Sequence, residues 1–164
     1  MLLQTYLEPL NAKTDKILAD QFASLVAKPQ EEGFLMIQNR DIPYIKCGDL
    51  AVWFDFKMIC NLPRSQLDYL EIASRFETIF VSNIPALTEK DTVLVILLIH
   101  LIDVLYDRGI KLVLSAAVPL SLLYVRGEMS QEFKRTQSRL AEMQAADYLQ
   151  RHPWRHEDNL KDLS

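Results

Sequence analysis

The richest chemistry lies in the run Phe133-Lys134-Arg135-Thr136-Gln137-Ser138-Arg139-Leu140-Ala141-Glu142-Met143. Arg135 and Arg139 stand one helical turn apart, so on a helix they are neighbours. Glu142 follows Arg139 by three residues, within pairing reach. Two readings stay open. The face is a solvated, salt-bridged one, or it presents two guanidinium groups side by side to a phosphate or an acidic partner, which guanidinium geometry binds in a bidentate fork. Other constellations carry less. His100, His152 and His156 show no metal spacing with one another. Cys47 and Cys60 are too few and too far apart for zinc. Each sits in an apolar stretch, which predicts buried, reduced thiols and suits a cytoplasmic protein. No Ser/His/Asp or Cys/His arrangement stands out.

The four glycines, Gly33, Gly48, Gly109 and Gly127, are scattered along 164 residues, where ordinary usage would supply about eleven. No two are close enough to form a phosphate-wrapping loop, so neither GxxxxGK[ST] nor GxGxxG is present. Asp103 closes the apolar run of residues 93–102 as the acidic residue closes a Walker B strand. That run is longer than the usual ~5–6-residue strand, so it predicts a buried helix, with Asp103 pairing with a cation or capping a loop.

These side chains need elements to hold them. Helical spacing of Ile17, Leu18, Phe22, Leu25 and Val26 predicts a helix over residues 15–27, capped by Asn11 or Thr14. Residues 30–33 read as a loop. Strands are predicted over 34–37, 42–47 and 50–56, with turns at Asn39-Arg40-Asp41 and Gly48-Asp49. Pro43 predicts an edge position, since proline cannot donate to a ladder. Short helices follow over 56–60 and 65–76, then a strand over 78–82. Thr88 is expected to cap a helix running to about Asp107, with Gly109 as its stop. A strand over 110–114, a short helix from Pro119 to Tyr124 and a helix over 130–150 complete the chain. Strand, long helix, strand is the pattern of a parallel βαβ unit. The expected fold is α/β: a mixed, partly parallel sheet with flanking helices. One domain over residues 1–150 precedes a polar tail, 151–164. Phe80 to Leu87 and Val113 to Leu120 echo each other as apolar strand, serine, then apolar-Pro-x-Leu. Either turn chemistry repeats there or two equivalent strands share one sheet.

Eighteen basic and twenty-two acidic side chains give a net charge of −4, the wrong sign for a nonspecific nucleic-acid binder. The longest apolar stretch falls short of the ~18 residues of a membrane span. Met1-Leu2-Leu3 runs straight into polar residues, so no secretory signal is expected.

Seven segments, in order, resemble the ZapE-type ATPases, bacterial relatives of the mitochondrial AFG-like ATPase. Tyr6-Leu7-Glu8-Pro9-Leu10 resembles Y-L-x-P-L. Trp53-Phe54-Asp55-Phe56 with Cys60 resembles F-x-x-L-C, and Asp68-Tyr69 the family's D-Y. Phe80 to Pro85 resembles its strand ending in V-P or I-P. Residues 101–108 and 111–116 resemble L-V-D-x-x-Y-[DE]-R and K-L-V-x-S-A. The run 133–143 resembles F-x-R-T-x-S-R-L-x-E-M. The resemblance implies the C-terminal part of an AAA-like P-loop ATPase. The full-length family would use ATP and magnesium and act in cell division. Walker A, Walker B and the first sensor would lie upstream of everything matched here. It makes Arg135, Arg139, Asp103 and Asn83 candidates for facing a nucleotide or a partner. It also implies a protein partner: the missing ATPase half, a second copy, or the tubulin-like division protein. One departure is marked. Where the family carries A-R-R-F-I, this chain places Ile96 and Leu97 at the arginines and Leu98 at the phenylalanine. An apolar surface there means extra burial or a new interface through Ile96, Leu97 and Leu98. The alternative to an ATPase module is therefore a non-catalytic adaptor or remnant that self-associates through this helix.

Overall fold

The computed structural model describes residues 3–151. Most of the expected tail, including His152 and His156, lies outside the described residues. The elements are β1 (Tyr6–Leu7), α1 (Ala12–Leu25), β2 (Gln30–Ile37), β3 (Arg40–Cys47), β4 (Ala51–Asp55), α2 (Phe56–Ile59), α3 (Gln66–Arg75), β5 (Thr78–Ile84), α4 (Thr92–Arg108), β6 (Lys111–Ala116), a 3₁₀ turn (Leu120–Leu122), α5 (Ser130–Met143) and α6 (Ala146–Leu149). They build one six-stranded sheet in the order β1-β6-β5-β4-β3-β2. β1, β6, β5 and β4 are parallel, and β3 and β2 extend the sheet antiparallel. The expected mixed, partly parallel α/β sheet is thus the observed one.

Alternate residues of the parallel strands go to opposite faces, as the pleat requires. Val52, Phe54, Ile79, Val81, Leu112 and Leu114 meet α3, α4 and α5 in the main core. Ala51, Trp53, Phe80, Val113 and Leu7 meet Leu18 and Phe22 of α1 in a smaller one. There Phe22 packs edge-on to Phe80 with ring centroids 5.1 Å apart, a favoured aromatic geometry. The echo of Phe80 and Val113 is structural: those residues are register partners in neighbouring parallel strands.

Helix α4 packs between α3 and α5. Its apolar surface is consumed inside the chain, with Leu97 5 % and Leu98 1 % exposed and Ile96 half-buried. Of the two expectations for this stretch, extra burial or an interface through Ile96, Leu97 and Leu98, burial accounts for Leu97 and Leu98. Three neighbours, the sheet and a helix on each side, surround the helix, and that calls for apolar residues nearly all round it. Gly109 ends it in the left-handed conformation, at φ 67°.

Several boundaries differ from expectation for identifiable reasons. Asn11 caps α1 by accepting from the Thr14 N–H. Residues 30–33 belong to β2, because Gln30 and Glu31 pair with Cys47 and Lys46. The hairpin turns at Gln38 and Asn39, both at positive φ (51° and 62°), as a two-residue primed turn demands. Pro43 lies in an internal strand, but β3 joins β4 only through Lys46 and Cys47, so the proline sits at a local edge. The Thr88 N–H and hydroxyl both turn onto the Asp91 carboxylate, and α4 begins one turn later than expected. The last helix breaks at Ala145, which is extended. The break turns Tyr148 inward, where its hydroxyl donates to the carbonyls of Leu105 and Ile110.

Asp68 is fully buried. Both its oxygens accept from Arg40 Nη2 at 2.7 Å, and Oδ2 also accepts from the Ser65 N–H as part of a capping box. One carboxylate therefore joins the hairpin to the start of α3. Next to it, the Tyr69 hydroxyl donates to the Ile59 carbonyl at 2.7 Å. The D-Y motif is thus a structural staple. Breaking a buried pair is costly because a charge is stranded. Arg40 keeps some solvent contact, so Asp68→Asn is expected to cost about 2–3 kcal/mol, read as a drop in the denaturation midpoint. A change below about 0.5 kcal/mol, typical of surface sites, would contradict the staple. Cys60 is fully enclosed, and burial pushes its thiol up to about 12. Cys47 is only partly covered. A thiol reagent at pH 8 is expected to modify Cys47 in the native protein and Cys60 only on unfolding.

Candidate functional site

In sheets of parallel strands, ligands bind beyond the carboxyl ends. Here those ends carry Asp55 on β4, Ser82 and Asn83 on β5, and Ser115 on β6. The β5–β6 register shifts between Val81 and Ile84, and Asn83 sits at φ 67°. Asparagine tolerates this left-handed conformation better than most residues. The bulge turns the Asn83 backbone N–H onto Ser115 Oγ at 2.9 Å and its Nδ2 onto Asp55 Oδ1 at 2.7 Å. Asp55 Oδ2 accepts from the Lys57 N–H at the start of α2, and Trp53 Nε1 donates to Ser82 Oγ at 3.1 Å. The three strand ends are therefore cross-linked to one another. Asn83 was expected from the sequence to face a ligand. Asp55 and Ser115 were not singled out, and only their position at adjacent strand ends identifies them.

Asp103, Arg135 and Arg139 separate into two environments. Arg139 Nη1 pairs with Asp103 Oδ1, and its guanidinium lies 4.8 Å from the Tyr106 ring centroid, within cation–π range. The Tyr106 hydroxyl donates to Glu142 Oε2, which raises the phenol above its ordinary value. Tyr106 also stacks on Tyr148, with centroids 6.1 Å apart. The pairing anticipated between Arg139 and Glu142 is thus replaced. Arg139 takes Asp103 and Glu142 takes Tyr106. Asp103 and Tyr106 are three apart on α4, as are Arg139 and Glu142 on α5, so two parallel contacts clasp the helices. Arg139 is largely covered (13 % side-chain exposure) and already charge-paired. Arg135 is exposed on α5 and pairs with none of the described residues.

A cavity of about 740 Å³ lies at the opposite, amino ends of β4–β6, lined by Val26, Cys47, Leu50, Glu77 and Lys111 among others. A second, about 620 Å³, opens beyond the carboxyl end of β1 between Glu8, Lys13, Leu120 and Gln144. The first is lined by Lys28 and Lys111 together with Asp49 and Glu77, and the second by Lys13 together with Glu8. Among the described residues no three His, Cys, Asp or Glu side chains cluster as metal ligands. No described helix is long and apolar enough to cross a membrane.

The clasp and the free arginine make different predictions. Hydrogen bonds to charged groups are worth about 1.5–3 kcal/mol, so Arg139→Ala is expected to destabilise by about 2 kcal/mol. Arg135→Ala should stay within about 0.5 kcal/mol of the parent. Equal losses in urea denaturation would contradict the division between them.

The whole described chain finds counterparts among known proteins. The family model of the AFG1-like ATPase matches residues 3–152. The cell division protein ZapE of Escherichia coli K12 is 31 % identical over 147 residues, covering 89 % of this chain and 39 % of ZapE. An uncharacterised protein of Schizosaccharomyces pombe is 35 % identical over 123 residues, 73 % of this chain and 27 % of its own length. Lactation elevated protein 1 homolog B of Danio rerio is 32 % identical over 114 residues, 69 % of this chain and 22 % of its own. No solved structure matches. The chain thus spans well under half the length of these relatives. With a family model matched from residue 3 to residue 152, this chain belongs to the AFG1-like ATPase family.

Proposed function

We propose that this chain is the assembly and partner-binding part of an AFG1-like ATPase and does not hydrolyse ATP by itself. The observation that carries the reading is the closed carboxyl edge of the parallel strands. Both Asp55 oxygens are taken, by Asn83 Nδ2 and by the Lys57 N–H at the start of α2, and the Asn83 backbone N–H is taken by Ser115 Oγ. A triphosphate needs the reverse, a set of unspent backbone N–H groups wrapped around it, and the four dispersed glycines do not supply one. The residues present therefore do not fit ATP with magnesium, the group implied for the full-length family. Arg139 is held by Asp103 and its role is structural. Arg135 is the guanidinium left to meet a phosphate or carboxylate of a partner.

The family resemblance makes the partner the remaining ATPase portion or the tubulin-like division protein, in keeping with the cell-division name of the Escherichia coli relative. The alternative, self-association through the apolar helix, loses its surface because Leu97 and Leu98 are buried in the chain's own core. Two measurements test the reading. Phosphate release from ATP and magnesium is expected to match buffer, and turnover on the order of 1 s⁻¹ would sink the claim of inactivity. Co-sedimentation with polymers of the tubulin-like protein is expected for the parent chain and weaker for Arg135→Glu. No co-sedimentation with the parent excludes that partner.

A further inference from the structure

The hairpin β2–β3 leaves one face bare. Leu35, Ile37, Ile42 and Tyr44 point to the main core. On the other side Phe34 is 66 % and Met36 56 % exposed. Phe34 lies directly opposite Pro43, and Met36 opposite Asp41. Alternation adds Glu32 on β2 and Ile45 on β3 to the same side. Glu32, Phe34, Pro43 and Ile45 border a cavity of about 320 Å³ that reaches round the edge of the sheet to Tyr44 and Met58. Helix α1, which covers the parallel strands on this side, does not cover Phe34 or Met36. An edge strand is ordinarily protected by charge or by a covering element. An exposed aromatic beside an exposed methionine on such a strand marks a contact surface. The ends of the strip carry charge of one sign. Glu32 and Asp41 are exposed, and neither is paired with a described base.

We infer that this face docks an amphipathic segment of a partner protein, one whose apolar side chains are flanked by Lys or Arg. The apolar strip supplies the contact area, and the two carboxylates select the charge of what lies on it. A second copy of this chain is a poor occupant, since stacking two such faces brings four carboxylates into one contact. The inference rests on the partner-binding half of the reading above. Its failure would show in peptide binding, whereas failure of the claim of inactivity would show as ATP turnover.

The test uses the full chain, isotopically labelled, with two synthetic amphipathic peptides of the same pattern, one of Leu and Lys and one of Leu and Glu. The Leu/Lys peptide is expected to shift the backbone amides of residues 32–36 and of Asp41, Ile42, Tyr44 and Ile45. Both carboxylates are exposed, so Glu32→Lys with Asp41→Lys should leave the fold intact and weaken binding on the order of tenfold, an effect that fades with added salt. Phe34→Ser should weaken it comparably. The inference is overturned by shifts centred elsewhere, by equal binding of the Leu/Glu peptide, or by unchanged affinity in both variants. It is also overturned if the hairpin amides broaden with protein concentration alone, which would make a second copy the occupant.

Discussion

Parallel strands cannot be joined by tight turns, and neither face of such a sheet can be left to water. Most of this structure follows from that constraint. The crossover from β4 to β5 must travel, and it does so through α2 and α3. The crossover from β5 to β6 is α4. Both lie on one face with α5, and the returning N-terminal strand β1 brings α1 to the other. Burial on both faces explains why β4, β5 and β6 read as nearly unbroken apolar runs. It also explains why α4, at the centre of its layer, is apolar nearly all round.

Polar side chains then fix how the layers sit. Asp68 ties the hairpin to α3 through Arg40, and Asp103 with Tyr106 ties α4 to α5 through Arg139 and Glu142. Asn83 ties the ends of β4 and β6 to β5. Each joins elements distant in sequence, and each uses residues belonging to the segments that carry the family resemblance or to a strand beside them. Several of the polar residues that the sequence offers for facing a ligand are thus spent on holding the chain's own elements together. A buried or half-buried charge is safest when paired, and a paired arginine is poorly placed to meet an incoming phosphate.

The exception to full coverage is the antiparallel hairpin. An antiparallel sheet can face water on one side, so the fold itself does not require a cover over Phe34 and Met36. Their exposure has no origin in the packing of this chain. That separates the hairpin face from the apolar α4 surface, which looked like an interface in the sequence and proved to be core.

The sequence by itself determined the elements and their order, because periodicity, proline, glycine and turn residues act over a few neighbours. The long apolar helix, its stop at Gly109, the short strands on either side and the mixed α/β class were legible that way. The family was legible too, through seven short segments in the right order. Only the tertiary structure decided which apolar surface is inside and which charges are free. Arg135 and Arg139 are equivalent by spacing, yet one meets Asp103 across thirty-six residues and the other meets solvent. Leu97 and Phe34 are equally apolar, yet one is packed among helices and the other is bare. Burial and charge pairing depend on what arrives from elsewhere in the chain, and local pattern does not encode that.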